Sequence, residues 1–531
     1  MQNNLVTSFI SETFDKESKN ILLGNWCKPP NQDEILYKNS EIIEYHFDDH
    51  IKMENDRKYL CDLFYKILKN LTICMNNFHV EKKPERYWHI VLGPWLINQI
   101  SILWDRWESL RKAFDVFDLN KTKLIKYHLD ELIFADFGIF CKKFQGNHRC
   151  NHILFSEIIK FKYSSKIQIN FLEDVDNSYI KKNYIVNVQK EEIKLNRKLI
   201  DLLLKTIPKN PKILLFDSYF NTRNKILLSL SLREIPRIYS EFYKKIKLPH
   251  PKKRDGINFD FEASNDFEKF IKKILIKLIP VSYLEGYKTI LSETNRINYN
   301  PNIIFTAVGT LINDFFQIWT ANRILKGTKL LVSDHGGSWE KDEYFDYFKK
   351  VSDFYLSWNK DSDQKCIQVP ININLNKKKI LKKNKSKKIL IISNTDVLYL
   401  IRMRQQPICN QIIQDYNSWK IFINNLTAEI KDNLVYRPHA HDQWKLTEKF
   451  KKDFDSRFIS SEKIFEKDIN RSKIIINTCF QTTLYETMKT GIPMIILFNR
   501  KTLNIYPKIL RLKELMMSNK IIFDDPLKAS E

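Results

Sequence analysis

Glycine is scarce in this chain, with 11 residues in 531. No G-x-G-x-x-G and no Walker A pattern occurs, so nicotinamide chemistry and P-loop ATP hydrolysis find no support. No apolar run approaches the ~20 residues needed to span a bilayer. The opening "MQNNLVTSFISETFDKESKN" lacks the basic start and apolar core of a secretory signal. The expectation is a cytoplasmic protein, at most peripheral at the inner face of the membrane. The 8 cysteines are irregularly spaced and none forms Cys-x-x-Cys. Cys141, His148, Cys150 and His152 do cluster in "CKKFQGNHRCNH". Their spacing fits no standard zinc site, so reduced thiols and no metal are expected.

Hydrophobic residues make up 43% and charged residues 28%, enough for real cores. The length fits two or three domains. Net charge is 87 − 63 = +24. Such an excess suits an anionic partner: nucleic acid, an anionic membrane surface or a phosphorylated substrate. Lys, Asn and Ile are abundant throughout, and the lysines are spread out. No nucleic-acid-binding motif appears, so nucleic acid is not the expected partner.

Short apolar runs ending in polar residues alternate with helical patterns, which predicts parallel sheets with crossover connections. "NILLGNWC", "KILLFDSYF", "NIIFTAVG", "TKLLVSDHGG" and "DFYLSW" precede a lysine-rich stretch, Lys377 to Lys388. "ILIISNTD", "NLVYRPHAHDQW" and "KIIINTCFQTTLYETMKTGIPMIILFN" follow it. This reads as α/β with two Rossmann-like lobes. Residues 1–375 are expected to form an N-terminal lobe with a helical insertion at about 40–200. Residues 376–388 are expected to form a linker or loop, and 389–531 a C-terminal lobe. Within the insertion, Trp88, Trp95, Trp104 and Trp107 point to a buried aromatic helix, with Pro94 set to kink or divide it. Ligands of open α/β sheets bind beyond the carboxyl ends of the strands, so the cleft between the lobes is the expected active site.

Two segments carry the chemistry. In "INTCFQTTLYETMKTGIPMII" a strand ends at Asn477, a polar loop follows, and a helix begins near Thr483 and stops before Gly491. Gln481, Thr482 and Thr483 offer donors to a phosphate at that helix start. Glu486 is either half of a capping box with Thr483 or an acceptor for the two hydroxyls of a ribose. In "YRPHAHDQW", Arg437 and His439 follow a strand and suit phosphate. On the N-terminal side, Asp334 and His335 are followed by Gly336 and Gly337. Paired glycines let backbone turn sharply or approach a ligand closely. His335, Asp334, Asp49 and His79 could each take a proton as a general base and are the catalytic candidates. Asp48, Glu85 and Asp105 are further candidates, and Asp217, at the end of the strand "KILLFD", is another.

A strand, a polar loop with Thr, and then E-x-x-x-x-G-x-P resembles the donor lobe of GT-B glycosyltransferases. That resemblance implies that 389–531 is the nucleotide-sugar-binding lobe and 1–375 the acceptor-side lobe, and that Glu486 contacts the ribose of a nucleotide-sugar, which would be a substrate and not a cofactor. More broadly, "LLGNWC", "YHFDDHIK", "FHVEKKPERYWHIVLGPWL", "WDRW", "SDHGGSWE" and "SDFYLSWN" occur in order along nearly the whole length. Together they resemble a bacterial family of transferases encoded among O-antigen and other surface-polysaccharide genes. The resemblance implies transfer of a sugar from an activated donor to a glycan or lipid-linked glycan. The chain departs from that family's pattern at Asp334, where glutamine is expected, and at His50, where arginine is expected. Alternatives are a metal-dependent GT-A transferase using Asp174-Val-Asp176, a glycan-binding protein that has lost catalysis, and a nucleic-acid-binding protein.

Overall fold

The structure is a computed structural model. It describes residues 2–28, 37–173, 184–186, 210–237, 239–336, 346–360, 362–371, 386–403, 407–499, 501–502 and 510–531. Gly337, Asp174, Asp176 and most of the lysine-rich stretch lie outside these residues.

The described residues build three five-stranded parallel sheets. The first contains β1 (Asn3–Val6), β2 (Lys19–Leu22), β3 (Ser40–Ile42), β4 (Lys121–Ile125) and β5 (Gln168–Leu172), in the order β3-β2-β1-β4-β5. β6 (Ile185–Val186) pairs antiparallel with β8 (Ile246–Lys247) in a small ribbon. The second sheet takes β7 (Ile213–Leu215), β9 (Ile303–Thr306), β10 (Lys329–Ser333), β11 (Phe354–Ser357) and β12 (Cys366–Gln368), in simple sequential order. The third takes β13 (Lys388–Ile392), β14 (Leu434–Arg437), β15 (Ser472–Asn477), β16 (Met494–Leu497) and β17 (Ile522–Phe523), in the order β14-β13-β15-β16-β17. The runs "KILII" and "KIII" are almost continuously apolar, as expected of central parallel strands covered on both faces.

The N-terminal part differs from the expected single lobe. The stretch from about 40 to 200, expected as a helical insertion, supplies three strands of a separate sheet. It also holds two long helices, His50–His79 and Glu85–Val116. Asp49 caps the first, its Oδ1 accepting from the backbone N–H of Ile51 and Lys52 at 3.0 Å. The second runs through Pro94 without dividing. Its burial on nearly every side offsets the local cost of proline, and one turn on Asn98 Nδ2 donates to the Pro94 carbonyl at 2.6 Å. Trp88, Trp95 and Trp107 are buried in the core, as the aromatic pattern predicts.

The first unit is bonded to both others. Asp48 accepts from Gln411 and Gln414, each at 3.0 Å. Arg106, wholly buried, pairs with Asp105, binds the Asn151 side chain and donates to the Leu400 carbonyl at 2.9 Å. Towards the second unit, Arg86 pairs with Asp353 at 2.9 Å. The Phe137 N–H donates to Asp314 at 3.2 Å. Asp314 also accepts from Ser282 and Tyr283, and burial beside Asp136 pushes its carboxyl up to about 7.

Candidate functional site

The first and third sheets share a feature: each starts in the middle, adds strands on one side, and then reverses to the other. The reversal leaves a crevice at the carboxyl ends of two neighbouring strands, where α/β proteins place ligands. In the first sheet this is between β1 and β4, and it is filled. The Ile125 N–H donates to His152 Nε2 at 3.2 Å, so Nδ1 carries the proton and donates to Thr7 Oγ1 at 2.9 Å. Trp26 closes over the same turn, its Nε1 donating to the Thr7 carbonyl at 3.1 Å. Tyr399, from beyond β13, lies 5.5 Å from the Trp26 ring and bonds His148 Nδ1 at 2.8 Å. His148 and His152 of the Cys/His cluster are thus both engaged with protein groups.

In the third sheet the crevice lies between β13 and β15. Ile392 is in register with Asn477, and Asn394 follows two residues on. Asn477 spends its Nδ2 on Thr487 Oγ1 at 3.1 Å, leaving Oδ1 without a partner among the described residues. Asn394 spends its Oδ1 on the Thr395 N–H at 2.9 Å, leaving Nδ2 likewise. One acceptor and one donor thus stand unspent at adjoining strand ends. Buried polar groups normally find partners, and an unpaired one costs about 1–3 kcal/mol.

The second sheet faces this crevice. Asp334 is pinned: its carboxylate accepts from Tyr355 OH at 2.5 Å and from the Trp358 N–H at 2.8 Å. It is therefore a loop anchor joining the ends of β10 and β11, which differs from the expected base. His335 is half-buried, its ring 5.7 Å from Tyr219. Burial, and then the guanidinium of Arg402, push it down to about 4, so it is neutral at pH 7. Arg402 belongs to the loop beyond β13, so this interaction crosses from the second unit to the third. At Gly336 a Cβ would lie 3.2 Å from Thr482 Oγ1, which marks a close approach of the two loops. A second crossing contact sets Trp358 edge-on to Tyr485, with ring centres 5.7 Å apart. Tyr485 is pushed up to about 12 by burial and by Asp334.

The expected donor-side residues divide. Gln481, Thr482, Thr483 and Glu486 sit together, half-buried, where the helix Thr482–Met488 begins. Gln481 occupies the cap position without a side-chain cap bond, and Thr483 is already the second helical residue. The Thr483–Glu486 capping box is thus not what holds the helix start. Arg437 is engaged elsewhere: its guanidinium pairs with Asp468 at 2.9 Å and donates to the Glu462 and Lys463 carbonyls. His439 is exposed, and its Nδ1 accepts from the His441 N–H at 3.1 Å.

Two catalytic expectations lie apart from the cleft. Asp49 is the helix cap described above. His79 is buried, donates from Nε2 to the Tyr283 carbonyl at 3.0 Å, and stacks on Trp88. Burial pushes it down to about 4, as suits a core imidazole that stays neutral. Sequence reading missed Arg402, Tyr219 and Trp358. The signal for Arg402 was available: a basic "YLIRMR" at the carboxyl side of a strand.

A family model described as LIC12162 family transferase matches residues 3–531. The chain belongs to the LIC12162 family of transferases. No curated protein matches it, and no solved structure does. The match covers all three sheets of this LIC12162-family transferase, so the filled first crevice and the facing second and third units all belong to one family unit. Among the described residues no helix is long and apolar enough to cross a membrane.

Proposed function

We propose that this transferase is a glycosyltransferase in which the second and third units form a GT-B-like pair. The third unit takes a nucleotide-sugar and the second presents the acceptor, a glycan or lipid-linked glycan. One observation carries the reading: two strand-end loops from different sheets converge, His335 and Gly336 against Thr482, beside a reversal crevice that holds unspent polar atoms. Asn394 and Asn477 offer a donor and an acceptor to the edge of a base. Glu486 would accept from ribose hydroxyls, and Arg402 would take the phosphate role expected of Arg437.

In this reading His335 is the base. The acceptor oxygen bonds to the anomeric carbon as its proton passes to the imidazole. The bond from carbon to phosphate oxygen breaks, and its electron pair leaves on the phosphate, where Arg402 offsets the charge. A bound anionic donor also counters the effect of Arg402 on His335, raising its basicity when substrate is present.

The test is thermal stabilisation by a panel of nucleotides and nucleotide-sugars, repeated with Glu486→Ala, Arg402→Ala and Arg437→Ala. One nucleotide class is expected to stabilise the wild type. The effect should vanish in the first two variants and persist in Arg437→Ala. Stabilisation lost only in Arg437→Ala would overturn the assignment of Arg402. No stabilisation by any nucleotide-sugar would overturn the glycosyltransferase reading.

A further inference from the structure

The helix Thr222–Ser231 follows β7 directly, and its side chains are barely packed. Ser229 is its one buried residue. Ile226, Leu227 and Leu230 are 40%, 53% and 59% exposed, and Leu232 and Ile235 just beyond are 36% and 46% exposed. Single exposed apolar residues are ordinary, whereas a run of five in ten residues marks a contact surface. Positions 226 and 230, one turn apart, share a face, and 227 adjoins them. From Thr222 to Arg237 the charged residues are Arg223, Lys225, Arg233, Glu234 and Arg237, 4 − 1 = +3.

We infer that this helix is an interfacial element that docks on an anionic lipid surface. Apolar side chains enter the acyl boundary while arginine and lysine meet lipid phosphates. The charge pattern selects this occupant. Two copies of the patch packed about a two-fold axis would set like charges against each other, whereas an anionic leaflet complements them, as does the net charge of +24. A rival apolar patch exists at the turn between the two long helices, where Ile73, Phe78 and Val80 are exposed. Its flank carries Glu81 and Glu85 against Lys82, Lys83 and Arg86, a net +1, so it is the less basic of the two. Position gives the inferred surface its use. Tyr219, three residues before the helix, lies beside His335, so docking would hold the acceptor side of the cleft next to the lipid headgroups. The docking surface itself stands whether or not the group transferred is a sugar.

Co-sedimentation with vesicles tests this. The protein is expected to bind vesicles of phosphatidylcholine with phosphatidylglycerol and not vesicles of phosphatidylcholine alone. Leu227→Glu with Leu230→Glu should weaken that binding at least about tenfold with unchanged melting temperature. Arg223→Glu with Arg233→Glu should weaken it and remove much of its salt sensitivity. Phe78→Glu with Val80→Glu should bind as the wild type does. The inference is overturned if the Leu227/Leu230 variant binds like the wild type, or if it melts lower because the chain itself packs that face. Loss of binding in the Phe78/Val80 variant, or equal binding to both vesicle types, also overturns it. None of these outcomes depends on a nucleotide.

Discussion

At the reversal of the first sheet, His152 uses both ring nitrogens on Thr7 and Ile125, and Trp26 and Tyr399 seal what remains. At the reversal of the third sheet, Asn477 and Asn394 each keep one polar atom unspent. The same strand-end position is closed by side chains of its own unit in one case and, in the reading proposed above, offered to a ligand in the other. A crevice left by topology is therefore an opportunity, and the side chains beyond the strands decide its use. Even within one unit the choice is local. Arg437 ends β14 yet serves Asp468, while Arg402, on the loop beyond β13, lies close enough to His335 to depress its basicity.

The comparison can be broken by substitution. His335→Ala should cut transferase activity about 10²–10⁴-fold, the usual worth of a general base, with little change in urea unfolding. Arg106→Ala should do the reverse. It leaves Asp105 buried without its cation, at a cost of about 3–5 kcal/mol in unfolding free energy. Equal activity loss per folded molecule in both variants would erase the distinction between the units. A smaller effect is expected at the third crevice. Asn477→Ala should weaken nucleotide binding about tenfold, as measured by calorimetry.

The smallest expected effect is in pH dependence. Burial holds His152 down to about 3 and His335 to about 4, against an ordinary value near 6.5. Both are depressed bases, so each contributes stability that is present above about pH 6.5 and is lost as pH falls towards those values. Asp314 and Asp415, both raised to about 7, act in the opposite sense: each favours the fold when protonated, and that contribution is lost as pH rises through 7. Comparison with the wild type isolates the histidines. His152→Gln and His335→Gln should each remove about one proton of pH slope between pH 6.5 and 4. With nucleotide bound, His335 should titrate higher and His152 should not move.

Much of the third unit was legible in the sequence, because "KILII" and "KIIIN" are apolar strands with distinct polar ends. The Gly336 approach was legible for a related reason: in a chain so poor in glycine, one placed after a strand marks a tight passage. The first sheet was not. β4 reads "KTKLI" and β5 "QINFL", short and half polar, beside helices of 30 and 32 residues that dominate any periodicity. Pairing between β1 and β4 spans more than a hundred residues of chain, and no local pattern reports it. His79 looked catalytic because an imidazole next to a loop resembles a base. Its stacking on Trp88 is a tertiary fact. Arg437 looked free for the same reason, since Asp468 is remote in sequence from the strand it completes.

Tyr399 and Arg402 stand three residues apart in "YLIR". The tyrosine is wedged into the first unit, against Trp26 and His148; the arginine lies near His335 of the second. The stretch that carries Arg402 thus takes its footing in the N-terminal unit. A protein beginning near residue 210 would leave that stretch without its anchor.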